Sequence, residues 1–279
     1  MDCKRLIKNL LREDVEDASK LLGLALNKTQ EQLFANLGYE VNSSEFEKFI
    51  SLVAERKMGK PFAYLKGSQG FYEHEFLVSP STLIPRPETE LLIDIVLDKL
   101  SPERKIKLLD LGTGSGVVGL SLAYEKPSWQ ISAVDNSPAA LEVAADNARA
   151  LGLNNVRLLE GDWYKNLPLP IESNNGYRII LANPPYLTKE DAHLSGSSLS
   201  WEPIRALVSE NNGFADLYRI IRIAKKLLNL EGWLLLEHGY NQRVGVENFL
   251  LESGFVDVKC LRDVAGNARV SVARHTKLI

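Results

Sequence analysis

A chain of 279 residues, 45% hydrophobic and 25% charged, has room for one large domain or two smaller ones, and its composition excludes a fibrous or disordered protein. Its 33 lysines and arginines face 36 aspartates and glutamates, and the net charge of −3 excludes a strong basic field that would hold a nucleic-acid backbone non-specifically. Two distant cysteines, Cys3 and Cys260, with no C-x-x-C spacing, exclude a disulfide framework and a cysteine zinc site. Residues 1–20 alternate acids and bases without an apolar signal region, and no run approaches the roughly 20 apolar residues of a membrane span. A cytoplasmic protein is expected.

From Cys3 to about Lys57 apolar residues recur at helical spacing, as in Leu6, Leu10, Leu11 and in Phe46, Phe49, Ile50, Val53, with Gly23, Gly38 and Gly59 as punctuation. This predicts a small helical domain, with a capping box at Ser44 and Glu47 opening its last long helix. The stretch from Phe62 to Thr82 mixes aromatic and β-branched residues with Gly67 and Gly70 and reads as a hairpin, closed off by Pro85 and Pro87. A helix is expected from Glu88 to about Leu100. Strands are expected over Lys105–Leu111, Gln130–Val134, Val156–Leu159, Arg178–Leu181, Trp233–Glu237, Phe255–Lys259 and Arg269–Ala273, with helices separating the first five. That alternation predicts a doubly wound α/β sheet whose ligands bind at the carboxyl ends of the strands. The expected domains are therefore residues 1–66 (helical), 67–87 (hairpin and linker) and 88–279 (α/β).

The segment Asp110-Leu-Gly-Thr-Gly-Ser-Gly116 follows an apolar strand and opens a helix, so its backbone can approach a ligand closely. Gly112, Thr113, Gly114, Ser115 and Gly116 are candidate ligand contacts. Gly114, Gly116 and Gly119 also satisfy G-x-G-x-x-G, and Asp135 stands 19 residues past Gly116, where a dinucleotide fold places its ribose-binding acid. Two features favour S-adenosylmethionine instead. An acid at position 110 suits an ammonium and a sulfonium better than a pyrophosphate, and Asp162 with Trp163 after the third strand can bracket an adenine. Trp163 as ordinary packing stays open, as does Asp135 as a helix N-terminal acid before Asn136, Ser137 and Pro138.

Asn183-Pro184-Pro185-Tyr186 follows the fourth strand. Two prolines fix the backbone and remove two donors, leaving an acceptor-rich slot. The Asn183 side-chain oxygen and the Pro184 carbonyl can take both N–H bonds of a planar amide or exocyclic amine, while the Tyr186 ring packs on its face. Such a nitrogen is a poor nucleophile, because its lone pair is delocalised. Accepting both protons aims it and favours its pyramidalisation, which the transition state for attack on a sulfonium methyl requires more than the ground state does.

Together these residues resemble the HemK/PrmC family of protein-(glutamine-N5) methyltransferases, over essentially the whole chain. The most specific part is Leu83-Ile-Pro-Arg-Pro-Glu-Thr-Glu90, followed in the family's order by the glycine loop, Asn183–Tyr186, Trp201-Glu-Pro203 and Glu237-His-Gly239; Pro61-Phe-Ala-Tyr-Leu-Lys-Gly67 is also similar. One departure is Phe71-Tyr-Glu-His-Glu-Phe76, where the family usually has glycine after the aromatic pair. The resemblance implies a Rossmann-like methyltransferase domain with a seven-stranded, mostly parallel sheet, preceded by a helical domain that docks the protein substrate. It implies that Gly112–Gly116 holds the methionine part of S-adenosylmethionine, Asp135 the ribose and Trp163 the adenine region. Asn183, Pro184, Pro185 and Tyr186 would hold the glutamine of a Gly-Gly-Gln motif in class I peptide chain release factors. The implied protein is a monomer with no stable nucleic-acid partner and no metal.

Two segments have open readings. Arg86 and Glu88 either face the active site or form an internal ion pair, and Leu187–Gly213, polar and serine-rich, is either a lid or a surface loop. His238 reads as a residue behind the site rather than a ligand. An adenine-N6 methyltransferase acting on RNA or DNA is the alternative function, disfavoured by the charge.

Overall fold

Strands that are apolar on both faces need helices on both sides, and the chain supplies them. The computed structural model describes residues 2–12, 16–100, 105–165, 176–194 and 198–276. It divides into two compact units, Met1–Ser68 with Gly196–Trp201, and Gln69–Ser195 with Glu202–Ile279.

The first unit holds helices α1 (Cys3–Arg12), α2 (Ala18–Leu26), α3 (Gln30–Ala35), α4 (Ser43–Lys57) and α5 (Phe62–Lys66). Its core joins Leu6, Leu10, Leu21, Leu22, Leu33, Phe49 and Val53. Leu11, Phe46 and Ile50, grouped with the apolar stripe by spacing, lie on the exposed side. The capping box sits two residues before the expected Ser44. Asn42 Oδ1 accepts from the Glu45 amide and Glu45 from the Asn42 amide, each at 3.0 Å, because Asn42 has the extended backbone of a cap and Ser44 is already helical. Gly23 does not punctuate; it lies inside α2, where a β-carbon would come within 2.8 Å of the Lys28 carbonyl oxygen. Phe62–Lys66, expected as part of the hairpin, is helical.

The second unit opens with the hairpin β1 (Ser68–Phe71, its first residue still counted in the first unit) and β2 (His74–Leu77). Its two-residue turn forms without glycine: Tyr72 takes φ 53°, and its amide donates to Glu90 Oε1 at 2.8 Å. The helix expected over Glu88–Leu100 is a 3-10 turn (Pro87–Thr89), then α6 (Glu90–Asp94), then a π-helical turn (Ile95–Lys99).

All seven expected strands form: β3 (Lys107–Leu111), β4 (Gln130–Asp135), β5 (Val156–Glu160), β6 (Tyr177–Ala182), β7 (Leu228–Glu237), β8 (Phe255–Arg262) and β9 (Ala268–His275). Their order is β5-β4-β3-β6-β7-β9-β8, parallel except for β9, which runs antiparallel to both neighbours. Helices α7 (Val117–Glu125), α8 (Pro138–Ala150), α9 (Glu210–Gly213, a single kinked turn), α10 (Ala215–Leu227) and α11 (Arg243–Glu252) complete the unit. Residues 161–165 form turns, and the rest of the helix expected between β5 and β6 falls on 166–175, outside the described residues.

Strand alternation divides the core. Leu108, Ile131, Ile179 and Leu235 pack on one face with Leu92, Ile93 and Leu120, whereas Leu109, Val134, Ile180, Leu234 and Leu236 pack on the other with Ile220 and Ile221. The strand order reverses between β3 and β6, so their carboxyl ends diverge and leave a crevice.

Candidate active site

That crevice is lined by Asp110, Gly112, Thr113, Gly114, Ser115, Asp135, Gly161, Trp163, Asn183 and Pro185, and on another side by Arg86, Thr89, Pro203 and Arg205. Four strand ends deliver the first group: β3 the glycine loop, β4 Asp135, β5 Gly161 and Trp163, and β6 the proline-rich loop.

The glycine loop is held from beneath. The amides of Gly112 and Thr113 both donate to the Val134 carbonyl, at 2.9 and 2.8 Å, and that of Gly116 to the Thr113 carbonyl at 2.8 Å. The Gly114 amide donates to Asp135 Oδ2 at 2.8 Å, and the Ser137 amide to Oδ1 at 2.9 Å. Four loop N–H groups are thus consumed inside the chain, so this loop is poorly provided with the donors that cradle a pyrophosphate. Asp110 and Asp135 both line the crevice. Two carboxylates and few free amides fit a ligand bearing an ammonium and a sulfonium, and they disfavour the nicotinamide reading.

Asp110 is buried, and Oδ2 accepts from Thr113 Oγ1 at 2.6 Å and from the Gly119 amide at 3.1 Å. A β-carbon at 119 would stand 2.8 Å from that oxygen. Gly119 therefore serves Asp110 rather than a third dinucleotide position. Burial raises the Asp110 carboxyl to about 6, with the two hydrogen bonds opposing it.

Trp163 takes a left-handed backbone, φ 57°, and its ring lies over Gly112. Its Nε1 donates to Asp216 Oδ1 at 2.9 Å, and Asp216 Oδ2 accepts from Ser209 Oγ at 2.6 Å. A bulky residue in this conformation persists only where its surroundings impose it.

In the proline-rich loop, Pro184 and Pro185 are buried. Asn183 Nδ2 donates to Thr89 Oγ1 at 3.1 Å. This bond fixes the amide, and Asn183 is one of the residues that line the crevice. Tyr186 Oη reaches Glu237 Oε1 at 3.5 Å, and the Tyr186 carbonyl accepts from Gln242 Nε2 at 3.2 Å. Burial drives the Glu237 carboxyl up to about 7, with the nearby Thr89 hydroxyl and the Arg269 charge acting in the opposite sense. Burial and Glu237 also push the Tyr186 phenol well above its ordinary value.

Arg86 does both: it lines the crevice, and its Nη2 lies 2.5 Å from Glu202 Oε1, while Glu202 Oε2 accepts the Ile84 amide at 2.9 Å. Glu88 is exposed. Within the segment 187–213, the Ser209 amide donates to the Leu187 carbonyl and the Leu187 amide to the Leu207 carbonyl, each at 2.9 Å, and Arg205 pairs with Ser137 Oγ. His238 has both ring nitrogens engaged, by the Gly239 carbonyl at 2.9 Å and Ser271 Oγ at 2.8 Å.

Comparison with known proteins gives the chain its family. A methyltransferase-domain model matches residues 102–256 and a PrmC N-terminal domain model residues 3–67. A release factor glutamine methyltransferase from Aliivibrio fischeri is 38% identical over 97% of this chain and 95% of its own, and one from Coxiella burnetii is 40% identical over 93% and 91%. The chain belongs to the release factor glutamine methyltransferase family. It is an S-adenosylmethionine-dependent enzyme with the fold of such enzymes. The T. thermophilus 16S rRNA N2 G1207 methyltransferase in complex with AdoMet and guanosine matches that fold at TM-score 0.54 and 22% identity, over 75% of this chain and 49% of that one.

In this glutamine methyltransferase Gly112, Thr113, Gly114, Ser115, Asp135, Trp163, Asn183 and Pro185 border one crevice, whereas Gly116, Pro184 and Tyr186 do not line it and the Tyr186 hydroxyl reaches Glu237. Five supporting residues went unassigned from sequence: Thr89, Asn147, Glu202, Asp216 and Gln242. Thr89 and Glu202 lie inside segments that carried the resemblance. Asn147 had only the signal of an amide on the apolar face of a helix, and Asp216 and Gln242 had none.

Proposed function

We propose that this chain methylates the side-chain amide nitrogen of the glutamine in the Gly-Gly-Gln motif of class I peptide chain release factors, and so modulates translation termination. The observation that carries this reading is Asn183, whose amide nitrogen is held by Thr89 and which lines the same crevice as Gly112, Thr113, Gly114 and Ser115. Bound S-adenosylmethionine supplies an electrophilic methyl group. In this reading Gly112, Thr113, Gly114, Ser115 and Gly116 hold its methionine part, Asp110 faces the positive charge, Asp135 takes the ribose hydroxyls and Trp163 borders the adenine.

The acceptor is handled by the proline-rich loop. Asn183 Oδ1 and the Pro184 carbonyl take the two amide protons, drawing electron density onto nitrogen and aiming its lone pair, and Pro185 keeps the slot narrow. Tyr186 bounds it. Glycines beside the target glutamine suit such a slot because they place no side chain at its mouth. The nitrogen is acidic once methylated, so its proton leaves without a dedicated strong base. The protein acts as a monomer in the cytoplasm, with the helical unit docking the release factor.

The test is transfer of labelled methyl to a purified class I release factor, beside a partner whose Gly-Gly-Gln glutamine is replaced by alanine. Label on the first and none on the second is expected. Label on neither, with S-adenosylmethionine binding intact, would overturn the reading.

A further inference from the structure

Glu237 is a carboxylate in a place that burial makes costly. It ends β7, is 1% exposed, and its Oε2 has no hydrogen-bond partner among the described residues. Its neighbours come from every side: Tyr186 from the proline-rich loop, Thr89 and Glu88 from the turn before α6, and Arg269 from β9. Arg269 is itself engaged by Asp263 at 3.2 Å, so Glu237 is not neutralised by a direct ion pair. A carboxylate buried this far without an ion pair of its own persists where something else is gained.

The gain lies one residue away. Thr89 Oγ1 accepts from Asn183 Nδ2 at 3.1 Å, so the single hydroxyl proton of Thr89 is turned elsewhere, and the Glu237 carboxylate is the acceptor beside it. We propose that Glu237, acting through Thr89, is a positioning residue of the acceptor slot: it sets the direction of the Asn183–Thr89 bond and so keeps Asn183 Oδ1, not Nδ2, facing the substrate amide. The inference rests on the proposed function, because only an acceptor nitrogen that donates both of its N–H groups in hydrogen bonds, and loses one proton on methylation, needs the oxygen there.

The chemistry is directional. An ionised carboxylate can only accept, so it orders the chain as Asn183 amide to Thr89, then Thr89 hydroxyl to Glu237. A group that can donate at position 237 lets the hydroxyl turn back toward Asn183 Oδ1, and the amide can then rotate to present N–H to N–H. Protonation of Glu237 has the same consequence, so the working form is the ionised one.

The experiment compares the full-length wild type with Thr89→Val, Thr89→Ser and Glu237→Gln. It measures kcat and KM with the release factor, the S-adenosylmethionine dissociation constant, and the pH profile of kcat. Thr89→Val is expected to lower kcat about 10²-fold, the scale of a misaimed reacting group, with KM and the donor constant within about twofold. Thr89→Ser restores the hydroxyl and should stay within about threefold. The wild-type kcat should rise with pH through about 7, and Glu237→Gln should lose that inflection. A second readout is free of turnover: the side-chain 15N resonance of Asn183 should titrate with the same midpoint in the wild type and stay flat in Glu237→Gln. Wild-type kcat in Thr89→Val, or an Asn183 resonance that titrates unchanged in Glu237→Gln, would overturn the positioning role. A wild-type chain that binds donor and shows the titrating resonance, yet labels no release factor, would overturn the proposed function and leave the Glu237–Thr89–Asn183 linkage supported.

Discussion

Trp163 lies over Gly112 so closely that a β-carbon on the glycine would come within 3.1 Å of Cζ3 and 3.3 Å of Cη2. Gly112 also has φ 71°, which L side chains rarely adopt. Gly112→Ala therefore meets two penalties, a strained backbone and a displaced indole. Donor affinity should weaken roughly tenfold or more, corresponding to about 1–3 kcal/mol of strain at such a site. Calorimetric titration with S-adenosylmethionine checks this, and an unchanged dissociation constant would remove Trp163 from the donor site.

Asn183→Ala removes one of two proposed acceptors for the substrate amide. The rate of methyl transfer should fall about 10²–10³-fold, as for loss of one preorganised partner of a reacting group, while the donor constant moves by less than about twofold. Steady-state kinetics alongside donor binding separate the two quantities. Equal losses in both would contradict the assigned role.

Asp110 carries the pH dependence of donor binding. Its carboxyl is raised to about 6 by burial, so below that pH the ligand-free site is neutral at this position and a cationic ligand loses its partner. The affinity for S-adenosylmethionine should fall as pH drops below about 6, by up to tenfold per unit, and be nearly flat above it. In Asp110→Asn the slope should vanish. The same raised value has the opposite sense for folding. The neutral form is the favoured one in the native protein, so its stability contribution is present below the ordinary aspartate range and is lost as pH rises through about 6.

Asp135→Ala should weaken donor binding more than it slows transfer at saturating donor. It also strips the acceptors from the Gly114 and Ser137 amides, at 2.8 and 2.9 Å, so part of the loss comes from a loosened loop. Asp135→Asn, which keeps an oxygen for one of them, should lose less. A donor constant unchanged in both variants would refute a ribose contact.

Asn147 ties two distant pieces of the second unit together. Its Nδ2 donates to the carbonyls of Ser115, at 2.8 Å, and Leu77, at 3.1 Å, and its Oδ1 accepts the Leu77 amide at 2.7 Å. Buried on α8, it binds the hairpin to the glycine loop. Asn147→Ala should cost about 2–3 kcal/mol, from buried backbone groups left unpaired, and lower the melting temperature by several degrees. Asn147→Asp should be at least as harmful, because a carboxylate cannot donate to either carbonyl.

The strands were readable because each is short, apolar and bounded by turn residues, and the β3–β6 crevice followed from their alternation with helices. Asn183 and the glycine loop were readable for a related reason: prolines and glycines constrain the backbone locally, so their spacing carries geometry. What escaped was whatever depends on residues far apart in the chain. Thr89 meets Asn183 across 94 positions, and Glu202 meets Ile84 across 118. No local pattern encodes such pairs. The misplaced cap at Ser44 shows a smaller failure, since Asn42 and Ser44 are equally good caps by residue type and only the backbone angles decide. Phe46 and Ile50 show that helical spacing finds a stripe more reliably than its edges.

The insertion of β9 between β7 and β8 places the later strand inside and the earlier one at the rim. Chain growth therefore meets an ordering problem. Residues 255–262 are made first but have no docked strand to pair with until 268–275 arrive and add to β7. The parallel strands that carry Asp110, Asp135 and Asn183 do not wait for this event, whereas Glu237 receives its Arg269 neighbour only when it is complete. Assembly of this half of the sheet should thus be a late, separate step, in which the ligand-binding loops take shape before the residues behind the acceptor slot find their final environment.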